Sequence, residues 1–231
     1  MIHSRALVRT LGKLTISFLF ACLTASALTD QSGEQHEASE TPLLLGIIVD
    51  THAHQHRVIE FERTALSSLL ETFPNIRLFV LSYAERPAIA QDWTTTALPS
   101  DLAEHIVIDP QSDIEHGASL WDAMGIGLSK LNSENGQAKS LIVIGEGNDG
   151  ASVIRYRDVK ELARKAHVQC FALLVADHNL IGGRVRHYGF YLNELASATH
   201  GASFDIESNK KKLRKALSKI SKRIDGQRGT H

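Results

Sequence analysis

Cysteine is scarce in this chain: Cys22 and Cys170 are the only two in 231 residues. Cys22 falls in a leader-like segment, so the remainder has no disulfide framework. A zinc ribbon, which needs four such ligands, is excluded as well. No strong charge of one sign is present, because the formal net charge is −1. That balance hides an asymmetry. Residues 28–208 carry 25 acidic and 13 basic side chains, whereas 209–231 carry nine basic and one acidic. An anionic body disfavours nucleic acid as a ligand. What remains, 43% hydrophobic and 22% charged residues, suits a soluble globular domain.

The N-terminus is organised as a secretory leader. Arg5, Arg9 and Lys13 form a basic region, Leu14 to Leu23 is largely apolar, and Ala25-Ser26-Ala27 offers small residues for cleavage. The apolar run falls well short of the roughly 20 residues a spanning helix needs. Leu19-Phe20-Ala21-Cys22 also resembles a lipobox, which would anchor the chain by a lipid on Cys22. The expected organisation is a signal peptide over 1–27, a polar tether over 28–41, one domain over 42–225 and a disordered tail over 226–231.

Within the domain, strand and helix patterns alternate. Leu43 to Asp50 is apolar throughout and ends in an acid, as a central strand covered on both faces does. Further strands are expected at Ile76 to Tyr83, Ser140 to Ile144, Val168 to Ala176 and Ala202 to Ile206, with an edge strand at Ile89 to Trp93. Helical spacing marks Val58 to Phe73, Leu120 to Leu131, Val159 to Ala166, Tyr191 to Thr199 and Leu213 to Ile224. A short helix is expected at Leu98 to His105. The pattern predicts an α/β fold: a doubly wound, mostly parallel sheet of about six strands with helices on both faces. Six strands are too few for an eight-stranded barrel. Ligands of such open sheets bind at the carboxyl ends of the strands.

Three segments fall at such ends: Asp50-Thr51-His52-Ala53-His54, His116-Gly117-Ala118-Ser119-Leu120-Trp121-Asp122-Ala123, and Ile144-Gly145-Glu146-Gly147-Asn148-Asp149-Gly150-Ala151-Ser152. In order and spacing they resemble the von Willebrand factor type A (VWA) superfamily. There the first strand ends in Asp-x-Ser-x-Ser, a later helix opens with Gly-Thr-x-Leu-Tyr-Asp-Ala, and a buried strand leads into Thr-Asp-Gly-x-Asp. Leu192-Asn193-Glu194-Leu195-Ala196 resembles the penultimate helix of the exported subgroup called VWFA-related in Acidobacteria. The resemblance spans Leu43 to Ile224 and implies a Rossmann-like VWA fold and a role in protein recognition or adhesion.

The resemblance also implies a metal-ion-dependent adhesion site at Asp50, His52, His54, Ser119 and Glu146, in degenerate form. His52 and His54 stand at the two serine positions, Ala118 at the threonine and Glu146 at the aspartate. Magnesium needs oxygen ligands in strict geometry, whereas imidazole suits zinc better. No cofactor is therefore expected; if a divalent metal binds, zinc is favoured over magnesium. The expected partner is an extracytoplasmic protein, met by Asp50, His52, His54, Ser119, Glu146 and Asp149. Asp-x-His-x-His after a strand also resembles the opening of amidohydrolase and TatD-like hydrolases, in which the histidines bind a water-activating metal. That alternative requires a barrel and later ligands.

Plainer readings apply to the same residues. His52, His54 and His56 suit a polar loop, Glu146 and Asp149 a turn and a helix cap, and Trp121 a core anchor. Gly145, Gly147 and Gly150 lack the lysine-serine or lysine-threonine ending of a Walker loop. Cys170 sits in an apolar strand with no catalytic base evident. Lys210-Lys211-Lys212 opens a basic helix face that is either solvated or set against an anionic envelope surface. From the leader we expect export with cleavage after Ala27. Intact mass of protein recovered from the envelope should give a chain starting at Leu28; a full-length or lipidated N-terminus rules this out.

Overall fold

The computed structural model describes residues 43–73, 76–95, 102–113, 115–135, 138–175 and 185–228, with the side chains of 185–188 and 227–228 outside the description. The expected signal peptide and tether, the expected domain's first residue, Pro42, and the end of the expected tail at 229–231 lie outside these residues.

Strand β1 (Leu43–Asp50) is buried at every position. It lies between β2 (Ile76–Tyr83) and β4 (Lys139–Gly145), parallel to both. The full order is β3-β2-β1-β4-β5-β6, with β5 at Gln169–Leu174 and β6 at Ala202–Asp205. The edge strand β3 (Pro87–Thr94) is antiparallel to β2, with register shifts near Val80. Such irregularities are common at sheet edges, where they bend the strand and disrupt further pairing. Chain order reverses between β1 and β4, so the crevice at their carboxyl ends is the topological switch point of the sheet.

Side-chain alternation along β1 divides the core. Leu43, Leu45, Ile47 and Val49 pack with Ala65, Leu66 and Leu69 of α1 (Ile59–Thr72) and with Leu213, Leu217 and Ile220 of α5 (Lys210–Arg228). Leu44 and Ile48 face the other way, toward Leu120, Met124 and Leu128 of α2 (Leu120–Asn132), Val159 of α3 (Tyr156–Lys165) and Leu192 and Leu195 of α4 (Val185–Ala198). A strand buried on both faces cannot alternate polar and apolar residues, which is why its sequence reads as an unbroken apolar run.

Three local expectations are corrected. Residues 102–105 form a turn, so the described part of the expected helix at Leu98 to His105 is not helical. Helix α4 begins at Val185, six residues before Tyr191, where the apolar spacing had marked it. Helix α5 runs on to Arg228, so 226–228 are helical where a disordered tail was expected. Among the described residues no helix is long and apolar enough to cross a membrane.

Leu217 is 4% exposed and lies under α5, while Lys210, Lys211, Lys212 and Lys215 point to solvent. Leu217→Ala should therefore cost about 2–5 kcal/mol, as large-to-small changes in packed cores do. Lys215→Ala should stay within about 0.5 kcal/mol. Denaturant titration of both variants checks this, and an unchanged midpoint for Leu217→Ala would show that α5 does not dock.

Candidate functional site

The β1–β4 crevice is floored by a carboxylate. Asp50 ends β1 opposite Tyr83, the last residue of β2, and is 1% exposed. Its Oδ1 accepts the His52 backbone N–H at 3.0 Å, and its Oδ2 accepts the Tyr83 hydroxyl at 2.9 Å and the Gln55 side-chain amide at 3.3 Å. Gly145, at the end of β4, is what lets the strands close over it. With φ at +152°, it has no room for a side chain, since a Cβ there would stand 2.4 Å from the Asp50 Cβ.

Two more acids face Asp50. Glu146 follows Gly145 and is 7% exposed. Glu62 projects from α1 and is fully buried, with neither carboxylate oxygen hydrogen-bonded. Burial, with a smaller push from the nearby charge of Glu146 and against the pull of its hydrogen-bond donors, raises the Asp50 carboxyl to about 7. Glu62 is held well above the usual carboxylate range by burial, and then by Asp50 and Glu146. Tyr83 is raised by burial and by the same acids. Burial and mutual repulsion thus raise the Asp50 and Glu62 carboxyl groups together at the crevice floor.

The histidines do not join this pocket as a ligand set. His52 caps a short 3-10 turn (Ala53–Arg57): its Nδ1 accepts the His54 backbone N–H at 3.3 Å and lies 2.7 Å from His54 Nδ1. The rings stack with centroids 4.7 Å apart. An acceptor Nδ1 places the His52 proton on Nε2, which is buried and unpartnered. Burial and then the neighbouring His54 lower the His52 pKa. Asp50, His52, His54 and Glu146, which the sequence sets at one strand-end face, do not bring three ligand atoms together among the described residues. Among the described residues the one group of three close His, Asp or Glu ligand atoms is Glu85, Asp113 and His116.

Ser119 and Asp149 serve the scaffold. Ser119 is 1% exposed and its hydroxyl donates to the Ala84 carbonyl at 3.0 Å. Asp149 Oδ1 accepts the Trp121 N–H at 3.2 Å and the Ser152 hydroxyl, capping α2. Asp122 answers from α2 by accepting the N–H groups of Val153 and Ile154. Gly117 lets the two loops touch, because a Cβ on it would meet the Gly150 backbone at 2.5 Å. Of the six residues expected on a partner surface, Asp50, His52, Ser119 and Glu146 are buried, and only His54 and Asp149 are partly accessible.

An aromatic cluster was missed by sequence reading. Trp121, 6% exposed, packs against Tyr156 at 5.2 Å and Tyr191 at 6.3 Å between centroids. Tyr191 in turn touches Phe190 at 5.6 Å. Phe190 is 60% exposed, Tyr191 48%, and Val153, three residues before Tyr156, 90%. Glu62 was also missed, although position 62 shares the helical stripe of Ala65, Leu66 and Leu69, where a charged residue is out of place. Cys170 matches its expectation: it is buried, and burial raises its thiol to about 12.

No family model matches the chain, and no curated protein sequence matches it. Solved structures do. BatB from Bacteroides thetaiotaomicron aligns with a TM-score of 0.61 at 17% identity, covering 80% of this chain and 98% of that one. The vWF domain of the type V pili tip protein Mfa5 from Porphyromonas gingivalis aligns at 0.58 with 8% identity, over 83% and 98% of the two chains. The von Willebrand factor type A protein from Catenulispora acidiphila gives 0.57 at 10% identity, over 80% and 43%. The chain has a von Willebrand factor type A-like fold. In this VWA-like domain the first-strand aspartate is the buried Asp50, and the sheet is the open six-stranded kind rather than a barrel.

The acid pocket gives a pH dependence of known sign. Asp50 and Glu62 titrate higher in the fold than in the unfolded chain. The folded state therefore binds more protons between the two values, and stability falls as pH rises through that window. The Asp50 shift alone corresponds to about 4 kcal/mol between pH 4 and 7. Glu62→Gln removes one buried ionisation at nearly constant volume. It should raise the melting temperature at pH 8 and flatten the decline between pH 5 and 8. A slope equal to that of the parent protein would mean that Glu62 finds a charge partner in the fold.

Proposed function

We propose that this chain is an exported recognition module that binds another protein at the carboxyl-end face of its sheet, without enzymatic activity and without a working magnesium site. The observation that carries this reading is the aromatic cluster at the rim of that face. Tyr191 packs on an anchored Trp121, Phe190 lies beside Tyr191, and Phe190, Tyr191 and Val153 are all exposed. Aromatic side chains on a rigid base are the usual anchors of protein interfaces, and contiguous exposed apolar patches mark them. The leader supports export, and the vWF domain of the type V pili tip protein Mfa5 is a structural neighbour. The exposed basic face of α5 is suited to an anionic envelope surface.

Donor chemistry supports the absence of a working magnesium site. Magnesium needs an oxygen shell. Ala118 offers no side-chain ligand, the Ser119 hydroxyl is turned to a backbone carbonyl, and both Asp50 oxygens already accept hydrogen bonds. The hydrolase alternative loses its support with the barrel, because the sheet is open and six-stranded.

A photo-crosslinker at Val153, in the native host, tests the reading. It should capture one discrete protein, the product should vanish when Phe190 and Tyr191 are changed to alanine, and a crosslinker at Lys222 should not yield it. No product at Val153, or the same products from both positions, overturns it. Titration of metal-stripped protein with magnesium should give no binding heat, whereas micromolar binding lost on Asp50→Ala would restore a working site.

A further inference from the structure

Helix α5 carries a charge pattern that works against its own formation. Residues 210–223 hold eight Lys and Arg side chains, all exposed, and no acid. Lys210, Lys211 and Lys212 fill the first turn, which has no acidic residue. That end of a helix is the positive pole of its dipole and favours carboxylates. Lys210 and Arg214, Lys211 and Lys215, Lys215 and Lys219, and Lys219 and Arg223 stand four apart, where like charges repel. The helix is held instead by Leu213, Leu217, Ile220 and Ile224 on its buried side.

The chain compensates little of this charge. Lys212 pairs with Glu207 at 2.5 Å, Lys219 lies 5.8 Å from the centre of the Phe204 ring, and Arg223 donates to the Gly201 carbonyl. Among the described residues no carboxylate pairs with Lys210, Lys211, Arg214, Lys215 or Lys222. Helical spacing sets Lys211, Lys215 and Lys222 in one row about 16 Å long, across the helix from the buried stripe. Residues that break a local rule at no gain to the fold are expected at functional surfaces.

The chemistry of this face separates its candidate occupants. None of the exposed large apolar side chains among the described residues lies on α5, whereas a protein interface has an apolar centre. The helix has no aromatic residue on which nucleic-acid bases could stack. Lysines outnumber arginines six to two over 210–223. A lysine is a mobile point charge that suits a diffuse layer of phosphates, whereas arginine suits a fixed bidentate contact. Headgroups of anionic phospholipid form such a layer. The exposed Glu60 and Glu71 of α1, on the same side of the sheet, confine the basic surface to one helix.

We propose that the outer face of α5 binds an anionic phospholipid bilayer by charge and without insertion, with Lys211, Lys215 and Lys222 at its centre. The proposal specifies the envelope surface named above. It is separate from the partner reading, since α5 packs on the α1 side of the sheet and Trp121 on the other.

Co-sedimentation of the chain recovered from the envelope with phosphatidylcholine vesicles containing roughly 30% phosphatidylglycerol is the test. At low salt the chain should bind them at least tenfold more tightly than pure phosphatidylcholine vesicles, and roughly 0.5 M sodium chloride should release it. Changing Lys211, Lys215 and Lys222 together to glutamine should weaken binding roughly a hundredfold, at about fivefold per lysine. The melting temperature of that variant should not fall, since repulsion is relieved. The same change at Arg157, Arg164 and Lys165, all exposed on α3, should alter binding less than threefold. The Val153 crosslink should persist in the α5 variant, so the two readings fail separately. Equal binding to neutral vesicles, an equal loss from the α3 variant, a lower melting temperature of the α5 variant, or tighter binding to polyglutamate or single-stranded DNA than to the vesicles overturns the proposal.

Discussion

The burial of Asp50 at the end of the central strand is the constraint on which the loop face depends. A carboxyl group taken out of water must gain donors, a counter-charge or a proton. Here Tyr83, Gln55 and the His52 N–H supply donors, and each comes from a different place in the chain. Tyr83 ties β2 to β1. Gln55 and His52 coil the following segment into a 3-10 turn that delivers the chain to α1. Gly145 brings β4 into contact with the same carboxyl group. One buried acid thus fixes the relative height of three strands and the path of the first loop.

The loop face carries two kinds of chemistry at different depths. Its floor is acidic and dry, with Asp50, Glu62 and Glu146 within reach of one another's charge. Its rim is aromatic and open, with Tyr191 packed on Trp121 and Phe190 beside Tyr191. The floor contributes geometry, because groups that are 7% exposed or less cannot meet a large partner directly. The rim contributes contact area. Asp149, Asp122 and Ser152 join these levels by tying the β4–α3 loop to the first turn of α2, so that Trp121 enters the cluster from a capped, rigid helix.

Much of the fold was legible in the sequence. The bounds of β1 and β2 are those expected from Leu43–Asp50 and Ile76–Tyr83, because continuous apolar runs closed by a polar residue have few other solutions. Less was legible where tertiary contacts decide. The apolar spacing after Leu98 suggested a helix, yet Leu102, Ala103 and Ile106 are buried by a turn that packs beside α1. Site residues were found by position but not by orientation. Asp-x-His-x-His gives the identity of two imidazoles, not the bond between them that turns them away from Asp50. Glu85 and His116 lie 31 positions apart in sequence and meet on loops whose approach only the folded sheet creates.

On the reading proposed above, the differences from the adhesion-site pattern are mutually consistent. A hard cation beside Asp50 would compensate its charge. Without one, burial and like charge favour the protonated forms of Asp50 and Glu62. Asp50 is raised to about 7, and Glu62 is held well above the usual carboxylate range. Ala118 fits that state: it is 1% exposed and gives only its backbone carbonyl, which accepts the Gly150 and Ala151 N–H groups. A threonine hydroxyl there would need a partner of its own in the same dry space. Recognition without an ion would fall to surface that needs none, and the aromatic rim beside α2 offers such surface.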